Sequence, residues 1–255
     1  MISVPDLTEL VREFGAEELR ATEPWVPRFN VAPTQSAPVV TNEEKRAVTQ
    51  MRFGLVPAWA KSPAVSASMI NARVETVATR GAFKHALARR RCVIPVSGYY
   101  EWKNVGGGKK QPVFIHTPGR LIPLSGIWER WTSAEGEVME SFAIITRAAE
   151  GFVGAIHDRM PLEVPRDALD LWLDPKPKTP EELAPVLGAP SGAEHLVAHP
   201  VSRKVNSVAN DSAALVDPAP EDPPAPQLDL FGAGEPAASP RARAKKPRSA
   251  RARSR

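Results

Sequence analysis

The charge and proline content of this chain change abruptly near residue 217, and this change limits how much of it can form a folded core. Residues 217–240 hold seven prolines and five acidic residues but no basic one, and residues 241–255 hold eight basic residues and no acidic one. The preceding 216 residues carry 25 basic and 24 acidic side chains. A segment so poor in large apolar residues buries too little surface to offset the entropy lost on ordering. We therefore predict one near-neutral domain over residues 1–216 and a disordered tail over residues 217–255.

Composition excludes several classes of protein. No apolar run approaches the roughly 20 residues of a membrane-spanning helix, and the acidic N-terminus lacks the apolar segment of a secretory signal. The single cysteine, Cys92, excludes an internal disulfide and a cysteine-based zinc site. His195 and His199 have the spacing of two helical metal ligands, but Pro200 follows them and the segment is more typical of a strand. We expect no metal, no cofactor, no membrane contact, a monomer, and a location in the cytoplasm in association with the nucleoid.

Apolar periodicity predicts a few helices among many short strands. The clearest helix carries apolar residues at helical spacing and ends at a glycine; these residues are Leu7, Leu10, Val11, Phe14 and Gly15. Further helices are expected at residues 74–88 and 166–173 and after Thr179, where Glu182 completes a capping box. The other apolar runs are short and separated by turn residues, with a hairpin around Gly106–Gly108. This pattern favours an α+β fold with an antiparallel-rich, curved sheet.

Three segments place polar side chains within strand-like apolar sequence, and each has two interpretations. Ile70–Thr76 is either part of a site or a half-exposed strand end or helix cap. Gly98–Lys103 sets Glu101 among aromatic residues, where desolvation raises a carboxyl pKa and suits acid–base catalysis; alternatively, Glu101 lies on the outer face of a hairpin. Ile156–Pro161 places His157 directly before an aspartate and an arginine, either as a catalytic group or in a solvated turn.

Taken together, these segments resemble the motifs of one family, the SRAP proteins (SOS response-associated peptidase fold), which process abasic sites and shield single-stranded DNA. The resemblance covers nearly all of residues 5–217. The matching segments, in chain order, are Arg28–Thr34, Phe53–Trp59, Asn71–Thr76, Arg90–Cys92, Gly98–Trp102, Ile144–Thr146, Ile156–Pro161, His199–Ser202 and Val205–Asn206. The resemblance implies a single SRAP-like domain with a barrel-like sheet and peripheral helices.

The resemblance also implies that the protein crosslinks to DNA through an N-terminal cysteine. In the family this cysteine stands at position 2 and is exposed when the initiator methionine is removed. Its α-amine attacks the open-chain aldehyde of the abasic sugar to give a Schiff base, and its thiol then closes a thiazolidine. By similarity, Glu101 is the acid–base residue, His157 assists proton transfer near the imine, and Asn71 orients the N-terminal residue. The resemblance further implies an enzyme of a family of autoproteolytic peptidases, with lyase- or hydrolase-like activity.

Five further residues are expected to contact DNA by similarity to the family. Asn30, Arg73 and Arg159 would meet phosphates, while Trp59 and Trp102 would stack on bases or wedge a duplex end. The implied partner is single-stranded DNA with abasic sites, in the DNA damage response.

The N-terminus departs from the family pattern. The family opens Met-Cys-Gly-Arg, whereas this chain opens Met1–Pro5, so we expect the cysteine, the Gly-Arg pair and the first strand to be missing. Cys92 does not replace the nucleophile, because its amine is in a peptide bond and a buried strand position is expected for it. Phe53 stands where the family usually has tryptophan. Either a Met-Cys-Gly-Arg start lies upstream or the chemistry has been lost, and the retained acid–base residues favour the first.

Two other functions stay open at the level of sequence. One is a binding-only module that caps damaged single-stranded DNA without chemistry. The other is a cysteine-dependent peptidase that acts on other proteins, for which the sequence offers no Cys–His pair in a motif context.

The tail contains a short apolar motif and a basic run. Gln227, Leu228, Asp229, Leu230 and Phe231 resemble the linear motif by which bacterial repair and replication proteins dock on the sliding clamp. A flexible tether of this kind would raise the local concentration of the domain at replication forks. The run Arg241–Arg255 is expected to bind phosphates without sequence preference. The alternatives are a chance pentapeptide and a solubilising tail.

Overall fold

Strands dominate the structure, in agreement with the short apolar runs of the sequence. The computed structural model describes residues 2–4, 7–20 and 26–221, and within these residues two sheets contain thirteen strands. In chain order the strands are β1 (Ile2–Val4), β2 (Glu18–Arg20), β3 (Arg28–Val31), β4 (Ser36–Asn42), β5 (Arg46–Phe53), β6 (Asn71–Arg73), β7 (Arg91–Val96), β8 (Gly98–Asn104), β9 (Lys110–His116), β10 (Ile122–Thr132), β11 (Val138–Ala148), β12 (Arg159–Pro161) and β13 (Val197–Pro200). All these residues belong to one compact unit.

Five strands of the larger sheet close into a barrel. Their order is β5, β4, β7, β10 and β11, with antiparallel pairing between neighbours, and β11 also pairs in parallel with β5. At this closure the rings of Phe53 and Phe142 stack with centroids 5.1 Å apart. β2 pairs with β5, while β6 and β12 pair with β11. The expected α+β fold with an antiparallel-rich, barrel-like sheet is confirmed.

A second sheet of five strands has the order β13, β9, β8, β1 and β3, and its pairing is antiparallel throughout. β8 and β9 form the hairpin expected around Gly106–Gly108. Gly98 at the start of β8 permits close packing against β9, because a Cβ there would lie 2.3 Å from Cζ of Phe114. β8 is thereby held between β9 and β1, which fixes the strand that carries Glu101.

The chain has a strand ahead of its first helix, contrary to the expectation that this strand is missing. Ile2 pairs with Val31 of β3 and with Tyr99 of β8, and Ser3 pairs with Gly98. Strand pairing uses main-chain N–H and C=O groups and does not require the family's Cys-Gly-Arg sequence. Residues Ile2–Val4 therefore occupy the strand position between β3 and β8.

The α-helices among the described residues are short, and the barrel is formed by strands alone. They are α1 (Leu7–Phe14), α2 (Lys84–Arg89), α3 (Leu169–Trp172) and α4 (Ala184–Leu187). The first agrees with its prediction, and Gly15 ends it with φ of 60°. The capping box also forms, because the Thr179 N–H donates to Oε2 of Glu182 at 2.7 Å and the Glu182 N–H donates to Oγ1 of Thr179 at 3.3 Å. None of the described helices is long and apolar enough to cross a membrane.

The helix expected over residues 74–88 was predicted too long. Only its last part is α-helical, as α2, and the preceding residues form turns in which the Val77 N–H donates to Arg73 O. Thr76, Val77 and Thr79 are β-branched and Gly81 follows them, so this stretch has low helix propensity. Apolar spacing alone therefore overestimated the helix.

The folded unit continues past the expected boundary at residue 216. The Ala219 N–H donates to Pro200 O at 2.9 Å, and Pro218 pairs with Val201. The Lys103 ammonium lies 2.9 Å from Oε1 of Glu221. The motif at 227–231 and the basic run at 241–255 lie outside the described residues.

Candidate active site

The three residues expected to catalyse the reaction line one cavity of 110 Å³. Asn71 opens β6, Glu101 lies in β8, and His157 stands in the turn before β12. β6 and β12 both pair with β11, so the barrel holds two of the three, and the second sheet supplies the third. The cavity therefore forms where the two sheets meet. Among the described residues, no group of three or more acidic, histidine or cysteine side chains could hold a metal ion.

Glu101 reaches this cavity from the middle of β8, where it pairs with Val113 of β9. Burial raises the pKa of its carboxyl group, and the charge of His157 opposes that rise. At neutral pH a larger share of Glu101 is therefore protonated than of an exposed glutamate. Glu101 lines the cavity and is not a residue of the outer hairpin face, which was the alternative interpretation.

His157 is oriented by its own turn. The turn follows a short 3-10 helix over Gly151–Ala155, and the His157 N–H donates to Val153 O at 2.9 Å. Its Nδ1 accepts from the Arg159 N–H at 3.0 Å. Nδ1 also lies 3.1 Å from Oδ1 of Asp158, but that carboxylate is exposed and the main-chain contact is the more constrained. Nδ1 also lies 3.2 Å from Arg159 O, so the role of each ring nitrogen depends on the tautomer. In the tautomer that accepts at Nδ1, the proton is at Nε2, which can then act as a donor.

Asn71 has an exposed side chain, and none of the described residues forms a hydrogen bond with its amide. Its backbone is fixed, since β6 pairs with β11 and Asn71 lies opposite Ile144. The Ile144 N–H donates to Ile70 O at 3.0 Å. Asn71 thus combines a fixed main chain with an amide whose donors and acceptor remain available.

Arg159 lines the cavity, but its guanidinium is already engaged. Nη1 and Nη2 bind the two carboxylate oxygens of Glu75 at 2.7 and 3.0 Å, and Nη2 also donates to Thr146 O at 2.7 Å. This pairing lowers the pKa of Glu75, with the hydrogen bond to Arg159 as the main cause. Arg73, in contrast, is exposed at the end of β6. Of the two arginines, Arg73 is the one with an exposed side chain for a phosphate.

The other residues expected to contact DNA do not line the cavity. Trp59 is 68% exposed. The Trp102 Nε1–H donates to Oδ1 of Asn206 at 2.8 Å. Asn30 is fully buried, and its Nδ2 donates to the carbonyl oxygens of Val205, Ser207 and Asn210. A buried amide with three carbonyl acceptors is not available to a phosphate. Asn30 therefore binds the loop over residues 205–210 and does not contact DNA, contrary to the expectation.

Comparison with known proteins agrees with this geometry. Residues 3–208 match the family described as SOS response associated peptidase (SRAP). The chain belongs to the SRAP family. It is 34% identical over 211 residues to abasic site processing protein YoaM of Bacillus subtilis, covering 82% of this chain and 92% of that protein. It is 35% identical over 215 residues to abasic site processing protein YedK of Escherichia coli, covering 80% and 91%. A solved protein from Bordetella bronchiseptica shares the fold, with a TM-score of 0.67 at 24% identity over 79% of this chain and 98% of that one.

Cys92 is not a candidate nucleophile in this SRAP domain. It lies in β7 opposite Gly126, and its side chain is fully buried. Burial strongly raises the pKa of its thiol, so the reactive thiolate is scarce at neutral pH. The sequence-based expectation of an inert strand cysteine is confirmed.

Sequence reasoning missed one polar group of the SRAP cavity, the hydroxyl of Tyr99. This side chain lines the cavity, is 4% exposed, and its hydroxyl has no hydrogen-bond partner among the described residues. Burial raises its pKa, and the charges of Glu101 and Glu163 raise it further. The available signal was the two-residue spacing from Glu101, because alternate residues of a strand share a face.

Proposed function

We propose that this chain recognises abasic sites in single-stranded DNA and joins covalently to them. The relatives YoaM and YedK are named abasic site processing proteins, which supports the abasic site as its target. The observation that carries the proposal is the cavity of 110 Å³ lined by Asn71, Glu101 and His157. A water molecule occupies about 30 Å³ in the liquid, so this space corresponds to a few waters. A sugar ring without its base suits it better than a complete nucleoside.

The register of β1 indicates how an N-terminal amine would reach the cavity. Ser3 pairs with Gly98 and Ile2 with Tyr99, in antiparallel direction. Additional residues that precede Ile2 and continue this pairing would run along β8 toward Glu101. An N-terminal cysteine carried by such an extension would bring its α-amine beside the acid–base residues.

The covalent step uses this amine and the cysteine thiol. The amine, with an ordinary pKa near 8, adds to the sugar aldehyde, and loss of one water gives the imine. The thiol sulfur then bonds to the imine carbon, and its proton passes to the nitrogen, which closes the thiazolidine. Glu101 supplies and takes up protons as the sugar opens and water leaves. The Nε2–H of His157 assists at the imine, and the amide of Asn71 orients the terminal residue.

The test is a set of chains in which extensions of increasing length, each beginning Met-Cys-Gly-Arg, precede Ile2. Each is incubated with a single-stranded oligonucleotide that contains one abasic site and is then run on a denaturing gel. We expect a denaturation-resistant adduct for at least one extension, and none for the same extension with serine in place of cysteine. The chain that begins Met1-Ile2 should bind the oligonucleotide without forming the adduct.

Two outcomes would contradict the proposal in different ways. Preference for abasic DNA without an adduct from any extension would favour the binding-only module. Turnover of a peptide substrate would favour the peptidase, which has little support because Cys92 is fully buried.

The tail is proposed to bring the domain to replicating DNA, and hence to the nucleoid. Gln227–Phe231 would dock on a bacterial sliding clamp, since Leu228, Leu230 and Phe231 form an apolar cluster within an acidic, proline-rich stretch. Burying one leucine and one phenylalanine contributes about 1.5–3 kcal/mol each, and ordering the segment offsets a good part of this. We expect micromolar affinity for a peptide over residues 222–236 and loss of binding when Leu230 and Phe231 are both alanine.

A further inference from the structure

A second cavity, of 290 Å³, adjoins the candidate site. The two share a wall at the bridge between Leu124 and Glu163. Leu124 lines the smaller cavity and Glu163 lines the larger one. The charges of Glu101 and Glu163 both act on Tyr99, which lines the smaller cavity. The larger cavity is therefore a neighbour of the site across this bridge.

Glu163 is a polar group of this larger cavity whose side chain has no hydrogen-bond partner among the described residues. It is half-buried, and none of the described residues donates a hydrogen bond to its carboxylate. Burial, and secondarily the charge of Glu194, raises its pKa to about 7. A half-buried carboxylate without a donor is unfavourable, so a ligand that supplies N–H groups would bind here with a net gain.

The chain approaches Glu163 closely at Gly192, which lines the same cavity. Gly192 has φ of 69°, and a Cβ there would lie 3.3 Å from both carboxylate oxygens. A larger residue at this position would crowd the carboxyl group. The missing side chain at Gly192 thus leaves space beside the carboxylate within the cavity.

The other charged or titratable side chains of this cavity are mixed in sign. Arg120, Arg166, Glu194 and His195 line it, and Nε2 of His195 lies 3.5 Å from Oε1 of Glu194. Arg120 is exposed and forms no ion pair with any described side chain, whereas Arg166 pairs with Glu13. A ligand with an anionic group for Arg120 and an N–H donor for Glu163 fits both features, and a nucleotide has both.

We propose that this cavity binds the base of a nucleotide next to the abasic site, with Glu163 accepting hydrogen bonds from the exocyclic amino group of that base. This inference rests on the proposed function, because the smaller cavity then holds the baseless sugar. Pro161 lines the smaller cavity and Glu163 the larger, two residues further along the chain, a separation of roughly 7 Å in extended backbone. Cytosine, adenine and guanine carry the amino group and thymine does not.

The experiment measures the affinity of the full chain for labelled single-stranded oligonucleotides with a central tetrahydrofuran abasic analogue. All other nucleotides are thymidine, except one neighbour of the analogue, which is varied on either side among dC, dA, dG and dT. We expect an amino-bearing base on one side to bind at least about fivefold more tightly than thymine, the lower limit for a specific base contact. Glu163→Leu should abolish this preference, because leucine fills similar space without an acceptor.

The matched control is Glu135→Gln, which removes one carboxylate from an exposed turn and changes the net charge equally. It should keep the neighbour preference. Equal affinity for all neighbours in the unaltered chain, or an unchanged preference in Glu163→Leu, would overturn the inference. If the chain does not favour the abasic analogue over undamaged DNA at all, the proposed function fails, and this inference fails with it. Calorimetry with dCMP tests whether the cavity binds a free nucleotide instead of a base within the DNA strand. We expect a dissociation constant of about 1 mM or weaker for dCMP. Micromolar affinity would show that the cavity is a site for a free nucleotide and would overturn the proposal.

Discussion

At the scale of single residues, Glu101 gives the most direct test of the proposed chemistry. In a chain that carries a Met-Cys-Gly-Arg extension, Glu101→Gln keeps the shape but removes the proton donor and acceptor, and we expect adduct formation to slow by about 10²–10⁴-fold. Because the pKa of Glu101 is raised, the rate of adduct formation by the extended chain with Glu101 intact should fall with rising pH only above the usual glutamate range. The need for a neutral amine makes the rate rise with pH at lower values, so the profile should be bell-shaped. An unchanged rate in Glu101→Gln, with Glu135→Gln as the control, would remove Glu101 from the mechanism.

Glu163 makes a second prediction at this scale, which concerns stability and not DNA. Its pKa is about 7 in the folded protein and near 4.3 in an unfolded chain. Between these values the folded state binds more protons, so Glu163 lowers the free energy of unfolding as pH rises. Glu163→Gln, which resembles the protonated acid, should therefore be more stable than the unaltered chain by about 1–3 kcal/mol at pH 8. At pH 4 the two should be nearly equal. Urea denaturation at both pH values measures this, and a difference independent of pH would contradict it.

At the scale of elements, the segment from Ser202 to residue 216 is fastened to β3 by a set of hydrogen bonds. The Asn30 amide donates to three carbonyl oxygens of this segment. Asp211 accepts from the N–H groups of Phe29 and Asn30 at 2.6 and 3.0 Å and pairs with Arg28. Asn30→Ala removes the donor to the carbonyl of buried Val205 and to those of exposed Ser207 and Asn210, and we expect a loss of about 1–3 kcal/mol in the free energy of unfolding. Asn104→Ala, at the exposed end of β8, should cost less than about 1 kcal/mol in the same denaturation assay. Equal losses in the free energy of unfolding for the two variants would show that the hydrogen bonds of Asn30 contribute little to stability.

The elements differ in whether a local sequence pattern predicts them. α1 was predictable because its apolar positions repeat locally, and the capping box because its two residues are only three apart. The pairing of β11 with β5 and β6 joins segments roughly 70 to 90 residues apart, and no local pattern encodes it. For that reason the convergence of Asn71, Glu101 and His157 could be expected only through the family resemblance. The burial of Asn30 depends on partners 175 to 180 residues away in sequence, and the position of Glu163 depends on its pairing with Leu124. Reasoning from motifs missed both.

At the scale of the whole molecule, the basic run at the C-terminus should set how DNA affinity depends on salt. Deleting Arg241–Arg255 takes away eight of the 33 basic residues and turns the formal net charge from +4 into −4. Each phosphate contact on a single strand contributes roughly −0.7 to the slope of log affinity against log salt concentration, so eight contacts would contribute about −6. We expect the truncated chain to bind undamaged single-stranded DNA more weakly at low salt and with a slope shallower by up to that amount. The preference for an abasic analogue over undamaged DNA should survive, because the cavity that carries it lies wholly within residues 26–221. Titrations at four or more salt concentrations measure both quantities. Equal slopes for the two chains would show that the basic run does not contact DNA, and loss of the abasic preference on truncation would show that recognition is not confined to the domain.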